Sequence, residues 1–180
     1  VSVQDTLEAA FDPRKRPWYT KAVAEKALEW TDVYVFFTDK NIGVSCAAPI
    51  TLENGELSGV VGIDIGLNQL SQFLSTLSVT EHSKSFIVTD KKRLIAYPIS
   101  GNDFGTLVQS GEHGLETVPI ERFSDPAVAN SYEAFEKNGR KSDVLSFEAG
   151  GESYIGSIAA FNVSKNWQWY VGLTVPKNDF

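Results

Sequence analysis

The chain has 180 residues, which at ~150 residues per domain means one domain or two small ones, long enough to bury a core without disulfides or a structural metal. Hydrophobic residues make up 42% and charged residues 22%, with 4 Trp, 6 Tyr and 11 Phe, a profile that excludes disorder as the main state. Lys and Arg number 16 against 23 Asp and Glu, so the net charge of −7 repels phosphate backbones and no nucleic acid is an expected partner.

No apolar run approaches the ~18 residues that cross a bilayer, and no charged-then-apolar leader opens the sequence. With no methionine present, the segment is expected to be a soluble piece of a longer protein, meeting a membrane only through segments outside it. Cys46 has no partner for an internal disulfide and reads, within VSCAAPI, as a small core residue. There is no glycine-rich phosphate loop, G-x-S-x-G elbow, H-E-x-x-H or paired-cysteine motif, so no enzyme activity and no cofactor are expected. Glu81-His82 and Glu112-His113 place neighbours on opposite faces of an extended chain, so no metal site is expected either.

From Pro17 to Trp30, Tyr19, Ala22, Val23, the Lys26 stem, Ala27 and Trp30 recur at helical spacing, predicting a helix with Pro17 at its first position and Arg16 extended before it. The period then drops to two. Residues 33–38, VYVFFT, and the stretches 43–50 and 57–66 read as three antiparallel strands, the last two joined by a hairpin at Asn54 and Gly55. Leu67, Leu70, Phe73 or Leu74, and Leu77 predict a short connecting helix. FIVTD and RLIAYP then flank a solvated basic turn, Lys91 to Arg93, as a second hairpin. The glycine-rich stretch 98–123 reads as irregular loop with at most short pieces of structure. Asp125 as cap, Pro126 behind it, a Val128, Tyr132, Phe135 stripe and a stop at Asn138-Gly139 predict another helix. Strands follow at 143–149, 152–161 and 167–175.

Helix then three strands occurs twice, so the fold class is α+β with two modules, 1–76 and 77–180, each an antiparallel sheet with flanking helices. The second module has the PAS-like plan, and the first lacks its opening hairpin or keeps only VSVQ of it.

Two features stand out chemically. FDPRKRPWY, residues 11–19, packs Arg14, Lys15 and Arg16 between prolines in an acidic chain. GVVGIDIG places Asp64 on a strand face shared with Val60 and Gly62, where a carboxylate is poorly suited and, if turned inward, needs a cation or donors. An internal Arg16 to Asp64 ion pair in a ligand-free structural or protein-interaction module is one reading of the two. A bound molecule between them is the other.

DPRKRPWY, then WTDVYVF, then a small-residue strand ending in Pro49, then GELSGVVGIDI, resembles the membrane-distal module of double Cache sensory domains. SFIVTDKKRLIAYP through WYVGLTVPKNDF is similar to the membrane-proximal module. The resemblance implies a distal module at 1–76 that is N-terminally incomplete, a proximal one at 77–180, and a long N-terminal family helix that this chain lacks. It implies a periplasmic or extracellular sensor of a bacterial transmembrane receptor, a homodimer in the full receptor, relaying small-molecule occupancy to a cytoplasmic output domain. Residues matching the amino-acid-binding pattern are Arg16, Trp18, Tyr34 and Asp64, the arginine holding a carboxylate and the aspartate an ammonium; Tyr19 and Phe36 complete the expected ligand-binding set. The chain departs from the pattern at Phe11, where a tyrosine is usual, and at Phe36, a position often polar. The expected ligand is a small organic acid or amino acid, and the proximal module is expected to hold no specific ligand.

Overall fold

A computed structural model describes residues 11–98, 107–111, 114–164 and 167–180. The expected remnant strand VSVQ and residues 99–106 of the glycine-rich segment lie outside that set. The chain divides into two compact units, Val1–Asp64 and Ile65–Phe180.

In the first unit a 3-10 turn, Pro13–Lys15, leads into helix α1, Pro17–Glu25. The helix stops short of the expected Trp30 because Lys26 adopts the left-handed conformation, φ 52°. Glu29–Trp30 instead form strand β1, and the expected strand 33–38 shrinks to β2, Tyr34–Val35. The chain turns directly after β2, where the Phe36 amide donates to the Asn41 carbonyl at 2.7 Å and Lys40 takes φ 57°. Both short strands pair antiparallel with β3, Ile42–Thr51: Glu29 and Trp30 with Ala47 and Cys46, Tyr34 and Val35 with Gly43 and Ile42. Between them the Thr31 amide still donates to the Ser45 carbonyl at 2.9 Å, so β1 and β2 form one interrupted edge. β4, Leu57–Gly66, pairs with β3 through the expected turn, where Gly55 takes φ 84° and its amide closes onto the Leu52 carbonyl at 2.9 Å.

The second unit opens with helix α2, Leu67–Ser75, so the division falls before this helix and not after it at 76/77. Packing explains the placement: α2 lies on β5, Lys84–Thr89, and β6, Leu94–Ala96, and the Tyr97 amide donates to Ser71 Oγ at 3.4 Å. Part of the stretch read as loop is a hairpin, β7, Val108–Gly111, with β8, Gly114–Thr117. Helix α3, Pro126–Lys137, starts where Asp125 Oδ1 accepts from the Ala127 amide at 2.9 Å. β9, Leu145–Ala149, β10, Glu152–Ser164, and β11, Trp167–Pro176, complete a five-stranded antiparallel sheet in the order β6-β5-β11-β10-β9. Phe86, Val88, Leu94, Leu107, Ile120, Val128, Tyr132, Phe135 and Ile158 form its core.

The basic turn is not simply solvated. Lys92 Nζ sits 2.8 Å from Glu136 on α3, and Arg93 donates to Glu116 at 2.7 Å and to the Thr117 carbonyl at 2.8 Å, so the turn fastens both the hairpin and α3. The second unit also holds a half-buried charge cluster: Asp125 Oδ2 accepts from Lys84 Nζ at 2.5 Å and from the Tyr97 hydroxyl at 2.6 Å. Burial, then the Asp125 contact, pushes the Tyr97 phenol far above its usual range.

After β11 a 3-10 turn, Lys177–Asp179, is clasped to the segment before β5. Asp179 accepts from the His82 amide at 3.0 Å and lies 2.8 Å from His82 Nδ1. The hydrogen bond to Asp179, then its charge, raises the imidazole pKa, while the nearby Thr80 side chain and the bonds from His82 lower that of Asp179. The histidine contribution is full below about pH 6.5 and fades as pH rises through the raised folded value; the Asp179 contribution fades as pH falls through its lowered one. A proton NMR titration of His82 is expected to give a pKa above that of the same residue in urea-unfolded chain. Asp179→Asn should bring the two values together; a folded value that stays raised in Asp179→Asn would contradict the clasp.

Candidate functional site

The three cations of FDPRKRPWY are divided by local geometry. Asp12 caps the 3-10 turn through the Arg14 amide at 3.0 Å and takes the Arg14 guanidinium on both oxygens, at 2.9 and 3.0 Å. That bidentate hydrogen bond lowers the Asp12 pKa. Arg16, extended at φ −82°, ψ 149° ahead of Pro17, points the other way. Its Nη2 donates to the Val35 carbonyl at 2.9 Å, and its guanidinium carbon lies 5.4 Å from the centroid of the Tyr34 ring. Its other N–H groups have no partner among the described residues.

From Tyr34 a line of hydrogen bonds runs across the sheet. The Tyr34 hydroxyl meets Ser45 Oγ at 2.6 Å, and Ser45 Oγ donates to Asp64 Oδ1 on β4. Ser45 itself is fully buried, its amide donating to Thr31 Oγ1 at 2.9 Å. Phe36, also buried, sets its ring edge against Tyr34, with centroids 5.3 Å apart. Burial raises the Tyr34 pKa, and the nearby Asp64 charge acts in the same direction.

Gly62 leaves room for Trp18, because a Cβ built there would stand 3.3 Å from the indole and 3.6 Å from Ala47 Cβ. Ser45 and Ala47 therefore share the face of Trp18 and Tyr34, and strand alternation turns Cys46 and Ala48 to the opposite face. Burial, then the Glu29 charge, raises the Cys46 thiol pKa. Tyr19 packs its edge on Trp18 at 5.6 Å but makes no described contact with Tyr34, Ser45 or Asp64.

Arg16, Tyr34, Phe36 and Asp64 thus fall on one connected face, with Trp18 beside them on Gly62. Two expectations change. Asp64 is exposed and not held inside a dry site, so it needs no internal counter-charge. Among the described residues Arg16 and Asp64 form no ion pair; Tyr34 and Ser45 stand between them. The sequence reading missed Ser45, although a hydroxyl between Val44 and Cys46 in an apolar strand already called for a polar partner. No cluster of metal-ligating side chains occurs among the described residues.

A family model described as a Cache domain matches residues 3–180. This chain belongs to the Cache family. The methyl-accepting chemotaxis protein PscA of Pseudomonas syringae pv. tomato is 25% identical over 170 residues, covering 94% of the Cache chain and 23% of PscA. The ligand-binding domain of the Pseudomonas fluorescens chemoreceptor CtaA, solved in complex with L-serine, superposes with a TM-score of 0.62 at 23% identity, covering 94% of this chain and 64% of that one. The ligand-binding domain of Mlp24, solved with asparagine, gives a TM-score of 0.58 at 25% identity, covering 96% and 60%. The chain therefore spans about a quarter of the length of the curated relative and under two thirds of the solved domains. None of its described helices is long and apolar enough to cross a membrane.

Proposed function

We propose that this Cache domain is the extracytoplasmic ligand-sensing part of a bacterial transmembrane receptor, and that its first unit, in the membrane-distal role, binds a free amino acid and relays occupancy to a cytoplasmic output domain. The observation that carries this reading is the opposed chemistry at the two ends of the Arg16 to Asp64 face. Arg16 keeps N–H donors without a partner among the described residues, in a planar fork suited to a carboxylate, while exposed Asp64 presents acceptors and negative charge. Tyr34 and Phe36 supply a rigid aromatic wall between the two ends. A molecule with a carboxylate at one end and an ammonium at the other matches both, and the ligands named for CtaA and Mlp24 are of that class.

A melting screen of amino acids, dicarboxylic acids and amines tests the reading. Zwitterionic amino acids are expected to raise the melting temperature, since a ligand at 100 times its dissociation constant stabilises the native state by about 2.7 kcal/mol. Simple acids and amines, matching one end only, are expected to shift it less. A screen in which no amino acid shifts the transition would remove the proposal.

A further inference from the structure

We propose that Ser45 is a positioning residue that fixes the direction of the hydrogen-bonded line from Tyr34 to Asp64, so that the site presents only acceptors to the cationic end of its ligand. This rests on the amino-acid reading of the same face. The inference comes from counting protons. A serine hydroxyl has one hydrogen, and an ionised carboxylate has none. Ser45 Oγ gives its hydrogen to Asp64 Oδ1, so the Tyr34 hydroxyl, 2.6 Å away, must donate to Ser45. Every hydrogen in the line then points toward Asp64. The Asp64 carboxylate also lies close enough to the Tyr34 hydroxyl to raise its pKa, and, being exposed, it keeps lone pairs to offer as acceptors.

Burial keeps the line in this direction. Ser45 is fully enclosed, and its backbone is held on both sides by Thr31, through Ser45 N to Thr31 Oγ1 and Thr31 N to Ser45 O, each 2.9 Å. Its hydroxyl therefore has little freedom to turn to water. Without Ser45, the Tyr34 hydroxyl is free to turn its hydrogen outward, toward the very group the site is built to receive. An ammonium would then meet a competing donor, and Asp64 would lose the bond that aims it. The Ser45 hydroxyl acts only through Tyr34 and Asp64, so its loss should weaken recognition of the ammonium and leave the carboxylate end at Arg16 alone.

The test compares L-alanine with L-lactate, which carry the same carboxylate and methyl and differ in ammonium against hydroxyl. Calorimetric titration of the chain is expected to show wild type preferring alanine. Ser45→Ala should reduce that preference by about tenfold or more, the scale of one charge-assisted hydrogen bond, with lactate binding unchanged. Ser45→Thr, which keeps the hydroxyl, should restore it. Wild-type discrimination retained in Ser45→Ala overturns the inference. A second arm needs no ligand: the alkaline absorbance titration of Tyr34, isolated by difference from Tyr34→Phe, should move in Ser45→Ala and not in Ser45→Thr, and an unmoved titration overturns the inference equally. Wild type binding neither probe would count against the amino-acid reading, while the absorbance arm still decides the role of Ser45. If Ser45→Ala does not fold, Ser45→Cys, nearly isosteric and a weak donor, replaces it in both arms.

Discussion

Arg16→Ala is expected to cut the melting shift produced by amino acids to about a third or less while leaving the ligand-free fold in place. Two magnitudes separate the effects. In the free protein Arg16 contributes one half-buried hydrogen bond, to the Val35 carbonyl, and a stacking contact with Tyr34. Such a bond is worth about 1 kcal/mol net, and an exposed cation over an aromatic ring about 0.5–1 kcal/mol. Truncating one partner of a charged contact to a bound ligand costs about 2–5 kcal/mol, roughly 30-fold or more in affinity. At 100 times the wild-type dissociation constant, the variant should therefore keep about a third of the wild-type stabilisation or less. Arg16→Lys keeps the charge but loses the fork and the flat stacking surface, so its affinity should fall between the two. Calorimetric titration and circular-dichroism melting on all three proteins are the measurements. Equal shifts in wild type and Arg16→Ala would place the ligand elsewhere; unfolding of Arg16→Ala without ligand would make the arginine a structural residue.

The parts of the fold that were legible in the sequence are those where a local signal and the tertiary fold agree. α3 begins at Asp125-Pro126 and stops at Asn138-Gly139, as cap chemistry dictates, and the turn at Asn54-Gly55 joins the two long strands of the first unit. The misreadings have the opposite cause. Ala27 and Trp30 continue the helical spacing of α1, but Lys26 ends the helix and Trp30 pairs with Cys46 on β3. β7 and β8 carry short, glycine-flanked segments with no clear period, and Arg93 from a distant turn fastens them. For the candidate site, residue chemistry singled out Arg16 and Asp64, because a guanidinium among prolines and a carboxylate within a strand are each anomalous alone, while Tyr34 came only from the resemblance to the Cache pattern. Their arrangement was not legible. That Ser45 stands between them depends on the pairing of β3 with its neighbours, and exposure of Asp64 depends on what covers β4, neither of which a linear pattern encodes. The Lys84, Tyr97 and Asp125 cluster was hidden likewise, since its members lie on β5, after β6 and before α3.

A large loss of stability in the second unit is expected from a single added methyl, in Gly172→Ala. Gly172 stands opposite Phe86 in the pairing of β11 with β5, and the fully buried Phe86 ring folds over it. A Cβ at position 172 would lie 2.1 Å from Phe86 Cζ and 2.5 Å from both Cε atoms, well inside contact distance. The ring has nowhere to retreat, since Phe86 belongs to the core with Val128, Tyr132, Phe135 and Ile158, packed at crystal-like density. One methyl must therefore displace the ring from its rotamer or part the central strands. Overpacking of this kind costs about 1–3 kcal/mol and occasionally more, and the closeness of three ring atoms puts Gly172→Ala at about 3 kcal/mol. For a domain of this size that is a fall of roughly 10 °C in melting temperature. Phe86→Ala alone leaves a cavity and should cost about 3–5 kcal/mol. The two losses should not add: combining Phe86→Ala with Gly172→Ala removes the ring that the new methyl would strike, so the double variant should be more stable than the sum of the single ones predicts. Urea unfolding of the four proteins measures the coupling directly. Additivity within about 0.5 kcal/mol would mean that the ring and the glycine do not share space in solution.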